Sequence, residues 1–455
     1  MHSTRRLLDR HLAVPMILGC LVAAAASASC SSDDVELGQV HPDAGHDAAE
    51  SPVEDAGADA DADAPPPDAG PFEPTPLPVV CEGSPCATAL VTTMGADPSD
   101  RAEGFCALLS DGTVACWGAG RAGQLGRGDD APLANSATAA RVVGLTDVVS
   151  LHHTCAIDSA GEVHCWGTGP YLASDMSATT MERTPVKLPI PRATAVSTSF
   201  STGCAATESG VLCWGQNLNG QIVPNDYSFF TVFSPQEVAV PAGAPIRELV
   251  LGAASFVLRE DGSTLSWGAN PPLGRASPLF PDPFPLPVAL DGISNMDVAY
   301  DNACAVAGGT GYCWGVVVET PGEPISKTDR AIPEPIATPT PILRIATTRT
   351  IIENEFGTRT LQQQRWCASS VTGDVHCAGY NASGQAGDGT KDFALNAVKV
   401  VGLPGPAADV KTTPDASCAL LTSGKVYCWG ANSYGQLGNG AMKVPSLVPQ
   451  EVVLP

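Results

Sequence analysis

The chain has 455 residues, 44% of them hydrophobic and 16% charged, with 46 glycines and 40 prolines, a balance that favours turns and short strands over helices. Its formal net charge is −24, from 24 basic against 48 acidic residues. Such a chain repels phosphate backbones, which argues against nucleic-acid binding.

The first thirty residues carry a basic start (Arg5, Arg6, Arg10) and then an apolar run, 12–26, too short to span a bilayer comfortably. Ser27, Ala28 and Ser29 precede Cys30. The pattern resembles a bacterial lipoprotein signal, in which the cysteine after the cleavage site is lipidated. It departs from that pattern at Ser27, where leucine is preferred. Two alternatives stay open, lipidation at Cys20 and plain secretion by cleavage after Ala28. Of the 16 cysteines, an even set remains only if Cys20 leaves with the signal and Cys30 takes the lipid, which favours Cys30. Residues 1–29 are therefore expected to be a signal peptide, and residues 30–80 an acidic tether. Thirteen Asp or Glu and no Lys or Arg fall between 31 and 80, too polar a stretch to build a core. Its Asp run offers no loop that converges six oxygens on calcium.

From residue 81 one segment recurs seven times: CALLSDGTVACWG (106–118), CAIDSAGEVHCWG (155–167), CAATESGVLCWG (204–215), FVLREDGSTLSWG (256–268), CAVAGGTGYCWG (304–315), CASSVTGDVHCAG (367–379) and CALLTSGKVYCWG (418–430). Each copy reads as a β-hairpin around a turn of Asp-Gly, Ser-Gly or Gly-Gly type. A short strand precedes each, as at Leu90, Val148 or Val410, and another follows, as at Val142, Val288 or Val452. Four strands about every fifty residues predict an all-β, seven-bladed propeller over 81–455. The first short strand lacks a predecessor and the last, 449–454, lacks a successor, so the termini are expected to complete one blade together and close the ring.

Six cysteine pairs sit nine or ten residues apart in the hairpins: Cys106/Cys116, Cys155/Cys165, Cys204/Cys213, Cys304/Cys313, Cys367/Cys377 and Cys418/Cys428. That separation places the partners opposite each other, at disulfide distance. The fourth copy loses both together, to Phe256 and Ser266. Six cross-strand disulfides are expected, with a seventh between Cys81 and Cys86, and hence an oxidising compartment.

After the Trp-Gly come GAGRAGQLGRG (118–128), GYNASGQAGDG (379–389) and GANSYGQLGNG (430–440). With the hairpins, these stretches resemble the regulator of chromosome condensation repeat, also grouped with BNR-type repeats. That resemblance implies a seven-bladed propeller. The nuclear member exchanges nucleotide on a small GTPase and binds chromatin. The export signal, acidic charge and lack of a basic tail make neither partner expected here. A secreted bacterial inhibitor of β-lactamases built on the same propeller is an analogy of fold alone.

No nucleophile elbow, phosphate loop or HExxH pattern appears, and no enzyme, cofactor or metal is expected. Asp111 and Asp261 precede glycines in turns, which accounts for them without catalysis. His152, His153, Cys155, His164 and Cys165 look like a zinc set, but disulfide cysteines cannot ligate zinc. The one irregular span, 316–365, carries Arg344, Arg349, Arg359 and Arg365 and reads as a candidate binding loop on one rim. The expected function is that of a monomeric, lipid-anchored binding scaffold of the cell envelope for a protein or polysaccharide partner. The alternatives are a secreted carbohydrate-active hydrolase or lyase, marked by carboxylates or His in the central channel, and a structural component without a ligand.

Overall fold

In the computed structural model the described residues are 75–93, 103–172, 177, 179–224, 226, 232–318, 327–353 and 359–455, with the backbone alone for 327–328, 351–353 and 359–360. The candidate lipidation site Cys30 lies outside them. Among the described residues there is no helix. There are seven four-stranded antiparallel sheets and one separate two-stranded hairpin.

Each sheet is one blade built from consecutive strands. Blade 1 runs Ala87–Thr92, Gly104–Leu109, Val114–Gly118 and Ser136–Arg141. The innermost strands of blades 2 to 7 are Val148–His152, Ala193–Thr198, Ile246–Leu251, Ile293–Ala299, Ile342–Thr347 and Ala407–Thr412. These strands neighbour one another around the ring and line its channel. The second and third strands are buried almost throughout, because they are sandwiched between neighbouring sheets.

The tryptophan of the repeat joins the blades. Trp117, Trp166, Trp214, Trp267, Trp314 and Trp429 are fully buried. Each donates its indole N–H to a carbonyl in the loop after the third strand of the preceding blade: Gln436, Gln124, Pro170, Gln221, Pro272 and Gln385 respectively, at 2.6–3.0 Å. The Gly-Gln-Leu-Gly element shapes that loop. In blade 7, Asn432 accepts from the Leu437 N–H and donates to the Ala441 and Val444 carbonyls. Gly438, at φ 60°, lies so close to Trp117 that a Cβ there would stand 2.9 Å from the indole.

Seven disulfides are present, and they are the expected pairs. Cys81 is bonded to Cys86 ahead of the first strand. The six hairpin bonds are Cys106–Cys116, Cys155–Cys165, Cys204–Cys213, Cys304–Cys313, Cys367–Cys377 and Cys418–Cys428. Each joins directly opposed residues of the second and third strands. Cys213 and Cys313 follow their partners by nine residues and not ten, because their hairpins turn more tightly. Thr207 opposes Gly210 in blade 3 and Ala307 opposes Thr310 in blade 5, which leaves two residues in each turn. The turn of blade 3 is therefore Glu208-Ser209, one residue earlier than the expected Ser-Gly. Cys377 keeps its bond although Ala378 beside it replaces the tryptophan, so the staple does not depend on the indole. In blade 4 Phe256 opposes Ser266 in the same register. Seven disulfides indicate an oxidising environment.

The terminal strands close the ring, but not by sharing a sheet. Blade 1 holds the first strand and blade 7 the last, Ser446–Glu451. Closure is a packed seam between two complete blades. Leu90, Phe105 and Trp117 share one apolar cluster with Leu420, Leu437 and Val452. The buried Glu103 carboxylate accepts from the Asp415 N–H at 2.9 Å, from the Thr413 hydroxyl and from Gln436 Nε2.

Candidate binding site at the channel mouth

Because strands alternate in direction, the turn after each innermost strand and the loop after each third strand emerge on one face. The first set of turns surrounds the channel mouth. A cavity of about 90 Å³ opens there, walled by Thr92, His153, Ser199, Gly252, Tyr300 and Thr412, among others. Ligand pockets for whole small molecules run to roughly 300–1,000 Å³, so this one accommodates a side-chain tip rather than an oligosaccharide.

The channel below it is charged. Glu248, Asp297, Arg344, Asp409 and Lys411 stand half-buried on innermost strands. Burial pushes the Glu248 and Asp297 carboxyls above the usual carboxylate range. Burial alone would lower the Lys411 ammonium, but Asp409, at 3.4 Å, and Asp297 outweigh it and hold it above its ordinary value. Asp297 also accepts from the Thr347 N–H at 2.7 Å.

The His/Cys set does not converge. Cys155 and Cys165 are bonded to each other. His152 Nε2 meets Ser197 Oγ at 3.2 Å, and His153 Nδ1 meets the Thr92 carbonyl at 3.0 Å. Burial, then the neighbouring charges of His153 and Lys411, push His152 well below its ordinary value, and burial likewise lowers His153. His164 instead meets Asp158 at 3.1 Å, with Glu162 nearby. Lys187 already pairs with Glu162. Blade 6 repeats the lysine–carboxylate pair beside a histidine with Lys399, Asp374 and His376, but has Ser370 at the position of Asp158. Asp111 and Asp261 hold their turns by accepting from the N–H groups two residues on.

The irregular span divides in two. In blade 5 the third and fourth strands, Thr310–Val318 and Lys327–Pro335, lengthen to nine residues each. In blade 6 the separate hairpin Ile351–Glu353/Arg359–Leu361 is inserted after the innermost strand. By the alternation of strands both rise on the channel-mouth face. The four arginines part company, which corrects the expectation of one basic loop. Arg344 is on the innermost strand. Arg365 begins the second strand of blade 6 and is fully buried, donating to the Thr413 and Ala416 carbonyls at 2.6 and 3.0 Å and to Ser417 Oγ. Arg359 lies on the inserted hairpin, with its side chain outside the described residues. Arg349 lines the mouth.

Sequence reading missed the channel groups. Glu248, Arg344 and Asp409 share one register position, each opposite the residue two past the first cysteine position of its hairpin, and a charge recurring at that repeat position is the signal that could have revealed them.

Models of the regulator of chromosome condensation (RCC1) repeat match residues 409–436 and 423–455. E3 ubiquitin-protein ligase MYCBP2 of Danio rerio is 36% identical over 73 residues, which are 16% of this chain and 2% of that protein. Prp20p of Saccharomyces cerevisiae, described with its binding to Gsp1p and histones, superimposes with a TM-score of 0.58 at 20% identity, over 76% of this chain and 86% of that one. Yeast RCC1 (Prp20) in its complex with Kap60 gives 0.57 at 18%, over 75% and 84%. Human WBSCR16 gives 0.54 at 19%, over 75% and 95%. At those identities the likeness is one of fold. Residues 409–455 match the RCC1 repeat, and the chain folds as a seven-bladed all-β propeller similar in fold to the yeast RCC1 structures.

Proposed function

We propose that the protein is a cell-envelope binding scaffold that holds a protein partner, or a polysaccharide, on its channel-mouth face. Under this reading Cys30 carries the lipid, residues 30–80 form the tether and residues 81–455 the propeller. The observation that carries it is the separate hairpin, Ile351–Glu353/Arg359–Leu361, which among the described residues forms a sheet of its own and follows Arg349 of the mouth. Loops held on a rigid scaffold are where binding residues gather. The yeast relative described with Gsp1p and histones is a protein-binding propeller of the same fold, which supports a protein as the partner. The disulfides suit an oxidising compartment.

The test is recovery of partners from envelope extracts by the full mature chain and by a variant with the hairpin tip shortened between residues 352 and 360. Removing all of 316–365 would delete the innermost strand of blade 6, so the smaller change is the informative one. Loss of a partner seen with the intact chain is expected, and equal recovery removes the hairpin from the account. Mass spectrometry of the mature N-terminus checks for a diacylglyceryl group on Cys30.

The hydrolase or lyase reading draws on the channel carboxylates Glu248, Asp297 and Asp409. Asp409 is paired with Lys411 and Asp297 is committed to the Thr347 N–H, and the cavity above them is small. Turnover of envelope glycans by the purified chain, lost in Asp297→Asn, would establish it in place of the scaffold.

A further inference from the structure

Two aromatic rings meet over the channel mouth. Phe200 of blade 3 and Tyr300 of blade 5 form an edge-to-face pair, with centroids 5.8 Å apart and planes at 70°. Arg349 of blade 6 reaches from three blades away to place its guanidinium carbon 5.3 Å from the Phe200 centroid. Asp301 follows Tyr300, and Asp297 lines the cavity beneath. A cation over an aromatic face with carboxylates close by is a recognition geometry for guanidinium and ammonium groups. Tyr300 also holds φ at 57°, and His153 across the mouth holds 49°. Left-handed backbone at bulky residues is strained and gathers at functional sites.

We propose that the Phe200–Tyr300 pair forms a slot for an arginine or lysine side chain of a protein partner, and that Arg349 fills this slot in cis. The proposal rests on the binding-scaffold reading and names the chemistry of its partner. The backbone on either side of Arg349 is pinned: the Thr348 N–H donates to the Arg365 carbonyl at 3.0 Å, and the Thr350 N–H to Asp301 at 3.3 Å. Exchange therefore moves the long Arg349 side chain and leaves the backbone on either side in place. The cavity is sized for a side-chain tip, and a chain with a net charge of −24 draws cationic surfaces toward it.

The test is calorimetric titration of the mature chain, Arg349→Ala and Arg349→Gln with N-acetyl-arginine amide, against N-acetyl-citrulline amide as the uncharged isostere. Both substitutions should tighten binding of the arginine probe about tenfold, leave the citrulline probe unbound and lose the gain when Phe200→Ala is added. Near-UV circular dichroism and the melting temperature report that each variant is folded. Equal binding by the unaltered chain and both Arg349 variants, or a gain that survives Phe200→Ala, overturns the slot. A slot that fails while hairpin-dependent partner recovery persists removes this inference alone. A slot that binds the probe while no partner depends on the hairpin removes the scaffold reading instead.

Discussion

A guanidinium shielded from water has to find its acceptors within the protein, and Arg365 finds them across the seam between blades 6 and 7. Burial draws it down to about 10, so it remains charged at neutral pH. Arg365→Ala leaves the buried Thr413 carbonyl without its donor, at about 1–3 kcal/mol, while the Ala416 carbonyl keeps the Thr413 N–H. A loss of roughly 1–3 kcal/mol in urea unfolding is expected. Arg365→Lys should recover little, because an ammonium cannot reproduce the planar fork. The histidines of the mouth give a pH dependence. His152 and His153 are held below their ordinary 6.5, so the unfolded chain takes up protons first as pH falls through that value, and stability is lost from there downward. Glu248 and Asp297 act in the opposite sense. Their carboxyls are raised, so the folded state protonates before the unfolded one and acidification toward their ordinary range offsets part of the loss. His152→Gln should therefore reduce the drop in urea midpoint between about pH 6.5 and 5. An unchanged drop would show that His152 is not its source.

Among elements, the tryptophan and the loop that receives it work as one device spanning two blades. Blade 6 has Ala378 where the others have tryptophan, and in blade 5 before it the third strand runs on past Gly315 to Val318. The indole half of the device is missing at this seam. Trp366, which opposes Ala378 in the register, packs instead on the cluster of Cys304, Ile342 and Ile345. Ala378→Trp should therefore destabilise the fold by roughly 1–3 kcal/mol through overpacking, and recreating the repeat's consensus should not help. Blade 4 makes a second case. Phe256→Cys with Ser266→Cys closes a loop worth roughly 2–3 kcal/mol on the chain-entropy model. It also removes a fully buried phenyl packed edge-on to Trp314, whose loss costs about 3–5 kcal/mol. The bond should form, yet thermal unfolding should show no gain over the unaltered chain. These cases mark how far the sequence could be read. Hairpins, staples and blade number were legible because turn glycines and cysteines recur at fixed spacing. The packing at Ala378 was not, because it depends on where Trp366, across the hairpin, is placed. The mouth was least legible, since Phe200, Tyr300 and Arg349 occupy turns whose residue type differs in every blade.

For the whole molecule the period fixes the number of blades but not their phase, because a strand between two hairpins can be assigned to either. That is why a shared terminal blade was the natural expectation and two complete neighbours are the outcome. Six seams of the ring are crossed by the chain, and the seam between blades 1 and 7 is not. It relies on the Leu90–Leu437 cluster, the Trp117–Gln436 bond, the three bonds of Glu103 and the backbone bonds from the Val80, Ala87 and Gly440 N–H groups to Thr422, Gly424 and Ala137. Openings of lowest free energy gather where the fewest constraints cross, so this seam should open first. The two ends of the propeller lie close together, since Val79 and Leu454 pack on the same cluster, and the Val80 and Val452 N–H groups donate to Thr422 and Val426 of one hairpin. A short linker can therefore join them, and new termini can be cut between Asp291 and Gly292, both exposed, in the connection from blade 4 to blade 5. Because every blade is contiguous, the permuted chain should fold with all seven disulfides. Its weak seam should move with the cut. In the native order, amides of Ala87–Thr92 should exchange with deuterium faster than those of Ile293–Ala299. In the permuted order the ranking should reverse. The same ranking in both chains would mean that side-chain packing, and not covalent continuity, decides where this ring opens.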